Sequence, residues 1–89
     1  MNLEDTKDLM ISEDYKERFI AEYVQTKVRL DRLQKIIDAW YNNKLPGCFV
    51  PTCPMSLLED QYQAMFLYVG YLTKRAKLEN IELPIITEV

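Results

Sequence analysis

From Ser12 to Asn42 the chain has neither glycine nor proline, and along that stretch Phe19, Tyr23, Thr26, Leu30, Leu33, Ile37 and Trp40 recur at alternating steps of four and three. Such spacing puts them on one face of an α-helix, whereas a strand would need alternation every second residue. Thr26 is the only polar member of this heptad seam. About 30 residues at about 1.5 Å each make a helix of roughly 45 Å. Ser12 is the expected N-cap, with Glu13 and Asp14 in the first turn, where the helix dipole favours acids. Asn42-Asn43-Lys44-Leu45-Pro46-Gly47 ends the helix, since Asn tolerates the left-handed C-cap conformation and Pro cannot continue the helical ladder.

A second seam follows. Leu58, Tyr62, Met65, Val69, Leu72 and Ala76 repeat the spacing of four and three. This helix starts near Pro54, which suits a first helical position, or two residues later at the Ser56/Glu59 capping box. It runs to about Asn80, and Leu83-Pro84 stops any continuation. The sequence therefore predicts an all-α chain with helices over about 13–42 and 54–80, paired as one long antiparallel two-helix hairpin domain over 12–83. Residues 1–11 read as an acidic, aperiodic, flexible segment. Residues 84–89 read as an apolar extended tail carrying Ile85, Ile86 and Val89. In the connection, Phe49 and Val50 are expected to cover the closed end.

One seam on each helix satisfies the other, but apolar residues are left over. Leu57, Ala64, Leu67, Tyr68 and Tyr71 lie outside the second seam; Ile20, Val24, Val28, Ile36 and Tyr41 lie beside the first. A lone hairpin would expose more apolar surface than the few hundred Å² usual for a monomer. Self-association into an oligomeric helical bundle is the expected remedy, with folding and assembly linked in one equilibrium.

Composition narrows the function. The 89 residues suffice for one small domain, and 48% apolar content excludes a disordered tail. A net charge of −3 argues against binding a DNA or RNA polymer. No segment approaches the roughly 20 apolar residues of a membrane span. The acidic start lacks the layout of a signal peptide, so the cytoplasm is the expected location. Cys48 and Cys53 are too few for a disulfide framework and fit a reducing compartment. With no histidine in the chain, the commonest general base and metal ligand are missing, and zinc would need two chains to share it. No Gly-rich phosphate loop is present. The expectation is a protein without enzyme activity, cofactor or metal.

The open end of the hairpin gathers residues suited to a phosphorylated ligand. Antiparallel pairing brings Tyr15, Arg18 and Phe19 near Tyr71, Lys74, Arg75 and Leu78. Arg and Lys bind phosphate, and aromatic faces stack bases. The competing reading pairs Arg75 or Arg18 with Glu22 or Glu79 and makes the aromatics core. A second basic run, Lys27, Arg29, Arg32 and Lys35, reads either as a ligand surface or as a solvated helix face.

Tyr15-Lys16-Glu17-Arg18-Phe19-Ile20-Ala21-Glu22-Tyr23, followed by Lys27 and Arg29, resembles the first half of a small phage-encoded family known from crAss-like phages. Cys53-Pro54, Leu57-Leu58, Gln61, Ala64-Met65, Tyr68, Leu72, Arg75-Ala76-Lys77-Leu78-Glu79 and Ile81-Glu82-Leu83 resemble its second half, so the likeness spans about 15–83. That family is similar to the hairpin domain of phage anti-CBASS and Thoeris anti-defence proteins. These are oligomeric sponges that bind cyclic oligonucleotides or cyclic ADP-ribose-type signals made by bacterial immune enzymes. The resemblance implies the same role here, in the host cytoplasm: sequestration of a cyclic nucleotide without cleavage. In those sponges an early aromatic and basic residues from neighbouring subunits hold the ligand, and Tyr15, Arg18, Lys27 and Arg75 are the matching positions. Adding Arg29 and Tyr71 from the readings above completes the candidate set. The alternative is an interaction module or inhibitor that binds a host protein, or a structural phage accessory protein.

Overall fold

Asp14, rather than Ser12, caps the first long helix. Its backbone is extended, with φ −79° and ψ 119°, and its side chain accepts from the Lys16 N–H at 2.9 Å. Ser12 acts one step back. Its Oγ accepts from the Asp14 N–H at 3.0 Å and donates to Glu17 Oε1 at 3.1 Å. The expected cap is thus split between two residues, and the helix begins two residues later than its N-cap signal suggested. In the computed structural model residues 1–45 and 51–87 are described, and within them the protein is all-helical: α1 (Thr6–Met10), α2 (Tyr15–Tyr41) and α3 (Met55–Leu78). Phe49, Val50, Cys48 and Val89 lie outside the described residues.

Both long helices end on asparagine. Asn43 and Asn80 are left-handed, with φ 54° and 56°. Beyond them the Lys44 N–H donates to the Ala39 carbonyl at 2.7 Å and the Ile81 N–H to the Ala76 carbonyl at 2.9 Å. This is the Schellman closure, which satisfies carbonyls the helix leaves open. At the second site it turns the chain back, so that Ile81 joins Ala76, Leu72 and Phe19 in a buried cluster flanked by Ile20, Tyr23 and Leu83. At the start of α3, Pro54 occupies the N-cap position with no side-chain cap, and the Ser56/Glu59 box is unused. Glu59 instead accepts from Tyr41 Oη at 2.8 Å.

Residues of both seams contribute to the core, and α2 is in contact with α3. Phe19, Leu30 and Leu33 of α2 and Val69, Leu72 and Ala76 of α3 are buried. Leu58, Tyr62 and Met65 are half-buried, while Trp40 at the end of the α2 seam is 45% exposed. Contacts pair Tyr15 with Arg75, Glu22 with Tyr68 and Tyr41 with Glu59, the order that antiparallel helices give.

The N-terminal segment departs from its expected reading. Thr6–Met10 form α1, which packs against α2. Thr6 is buried; its Oγ1 donates to the Leu3 carbonyl at 2.7 Å and accepts from Gln25 Nε2 at 3.0 Å. On the same side of α2, Val24 and Val28 are 0% and 2% exposed. Of the apolar surplus on the first helix, Val24 and Val28 are therefore buried within the chain, Ile20 and Ile36 are half-buried, and Tyr41 stays 64% exposed. Aperiodicity hid this, because α1 is too short for a hydrophobic repeat to show. The C-terminal tail closes over the start of the chain, with the Thr87 N–H donating to the Met1 carbonyl at 3.0 Å.

Candidate ligand-binding cluster

One heptad on each long helix builds a cluster on the α2–α3 edge. Tyr15 and Glu22 are seven residues apart on α2; Arg75 and Tyr68 are seven apart on α3, in the opposite order. Arg75 Nη2 donates to Tyr15 Oη at 2.7 Å. Its guanidinium lies over the Phe19 ring, 4.9 Å from the centroid, and Phe19 in turn packs at a tilt against Tyr15 with centroids 6.2 Å apart. Phe19 is the pivot, because its ring is buried in the cluster with Leu72, Ala76 and Ile81 yet presents its face to Arg75. A cation held over an aromatic face gains about 0.5–1 kcal/mol at an exposed site.

Carboxylates balance the cation. Arg75 Nε lies 3.4 Å from Glu79 Oε2, and Tyr68 Oη donates to Glu22 Oε1. The bond to Tyr15, above all, and the Glu79 carboxylate raise the Arg75 pKa, against an opposing effect of burial. The bond to Glu22, with burial and the Glu22 charge, raises the Tyr68 pKa, and Arg75 opposes this. Arg75 has five N–H donors in a planar fork. Tyr15 and Glu79 engage part of that fork.

Of the six candidate residues, the structure brings Tyr15 and Arg75 into contact. Tyr71 is 62% exposed, on the outward side of α3, with Lys74 Nζ 5.7 Å from its ring centroid. Arg18 Nη1 donates to the Ser12 carbonyl at 2.8 Å and so braces the start of α2. Lys27 pairs with Asp31 at 2.9 Å, one turn along the same helix. Arg29 is exposed. The competing ion-pair reading is realised for Arg75 with Glu79, but Glu22 is engaged by Tyr68 rather than by an arginine. Tyr68 and Glu22 were not among the candidates, although one heptad step from the Tyr15–Arg75 pair leads to both.

Fold and cluster together describe a small all-helical protein with a polar cluster between its two long helices. The family model described as Sequestin matches residues 13–78, and the chain belongs to the Sequestin family. The match takes in all of α2 and α3 and the residues of the cluster except Glu79. The family's name points to sequestering a ligand. No curated protein and no solved structure matches the chain. No described helix is long and apolar enough to cross a membrane.

Proposed function

We propose that the protein is a phage immune-evasion sponge: an oligomeric helical hairpin in the host cytoplasm that sequesters a cyclic nucleotide signal without cleaving it. Membership of the Sequestin family over residues 13–78 carries this reading. The cluster supports it with Arg75 for a phosphate and the exposed Tyr15 ring for a base. Glu22 and Glu79 offset the charge of Arg75 locally, so a phosphate here needs further cations. Basic residues of a neighbouring copy, from Arg18, Lys27 or Arg29, supply them in an assembled sponge. A site made rigid by such assembly avoids the ordering cost of binding.

Calorimetric titration against cyclic di- and trinucleotides and cyclic ADP-ribose isomers tests the reading. At least one should bind, and Arg75→Ala should weaken it roughly 10- to 150-fold, the worth of a hydrogen bond to a charged group. Helical content should stay unchanged. The exposed apolar side of α3 favours a second reading, a module that docks on a host protein; it predicts no heat with any nucleotide.

A further inference from the structure

The outward side of α3 carries a second heptad seam. Leu57, Asp60, Ala64, Leu67, Tyr71, Lys74 and Leu78 follow one another at steps of three and four, on the side of the helix away from Leu72. All are exposed, Leu57 at 57%, Leu67 at 59%, Tyr71 at 62% and Leu78 at 84%. With the flanking Phe66 and Tyr68, the large side chains leave on the order of 700 Å² uncovered, taking about 200 Å² for a whole one. A standard interface uses about 800 Å² per partner. With Val24 and Val28 buried, this seam is the longest run of exposed large apolar residues on one helix face among the described residues, beside Trp40 and Tyr41 at the end of α2.

We propose that a second copy of this chain covers the seam, its α3 running antiparallel, with Leu67 on the two-fold axis. The order of residues is complementary to its own reverse. Asp60 and Lys74 lie equally far on either side of Leu67, so each acid meets the partner's base, twice per dimer. The small Ala64 faces the partner's large Tyr71, and Leu57 faces the partner's Leu78. A hollow of about 220 Å³ beside Leu67, floored by Gly70 and walled by Phe66 and Tyr71, gives the partner's side chains room. Apart from its two neighbours and the backbone of its own helix, no described atom lies within 4 Å of where a Gly70 Cβ would stand. A parallel arrangement would set Asp60 against Asp60 and Lys74 against Lys74, so charge selects the antiparallel one. This inference rests on the self-association in the proposed function and gives Tyr71 a place in the interface.

Charge exchange tests it, because these exposed positions do not enter the fold of one chain. D60K alone and K74E alone should each weaken dimerisation about tenfold in sedimentation equilibrium, since two exposed pairs are lost and two repulsions gained. The double variant D60K/K74E should recover the parent affinity, and an equimolar mixture of the two single variants should assemble as a heterodimer. Leu67→Glu should give a folded monomer by circular dichroism and mass. If every variant assembles like the parent and the mixture shows no preference, the seam is not the interface. A parent protein that is itself monomeric overturns this inference together with the self-association it rests on. An intact, charge-sensitive dimer that binds no nucleotide overturns only the proposed ligand.

Discussion

Asn80 shows how much one backbone conformation decides. Its left-handed φ of 56° lets Ile81 turn back onto Ala76 and Phe19, and a residue with an ordinary Cβ is strained there. Asn80→Ala should cost about 1 kcal/mol in urea denaturation, while Asn80→Gly should be close to neutral. An unchanged midpoint for the alanine variant would contradict the closure described. At Tyr68 the expectation concerns pH. The Glu22 bond raises its pKa above the ordinary 10.0, so the folded state holds the phenolic proton more tightly than the unfolded state. The stabilisation is therefore complete below about pH 10 and is lost as pH rises through the folded value. Tyr68→Phe should flatten the fall in stability above about pH 10; an identical alkaline profile would mean that the bond to Glu22 does not persist in solution. Arg75→Ala separates the two roles open to that residue. A ligand role predicts lost affinity at constant melting temperature, and a purely structural role the reverse.

Among the elements, α2 and α3 were legible because their seams are long. A dozen apolar positions in steps of four and three leave little freedom of type or facing. The ends were legible only within a residue or two, because Ser12 and Asp14 both suit a cap and the structure uses both. The short α1 was not legible: five residues carry no period, and its hold on α2 depends on Thr6 and Gln25, nineteen positions apart. The candidate site was partly legible for the same reason. Antiparallel seams fixed Tyr15 beside Arg75, but the opposing carboxylates and the turn of Arg18 toward Ser12 follow from side-chain geometry that spacing does not carry. Leu72, at 2% exposure in the centre of the α3 seam, tests the shared core. Leu72→Asp should unfold the chain, since an unpaired buried carboxylate costs several kcal/mol, comparable to the stability of a small domain. A variant with the parent melting temperature would show that the seam is misassigned.

At the scale of the whole molecule, one observation about surface and one about charge meet. The outward seam of α3 is apolar enough to need a partner, and the Arg75 cluster is too evenly balanced in charge to hold a phosphate unaided. The proposed α3 dimer would cover the seam, and the proposed sponge would need a further contact between copies to add cations to the cluster. The proposed role then requires capture without turnover, so the fate of the bound nucleotide tests it most directly. The protein is incubated with the tightest ligand of the cyclic nucleotide panel, freed of excess, denatured by heat, and the released small molecule is identified by mass spectrometry. Return of the same cyclic nucleotide, chemically unchanged, is the predicted result; release of a linearised product, or of no nucleotide, would contradict sequestration.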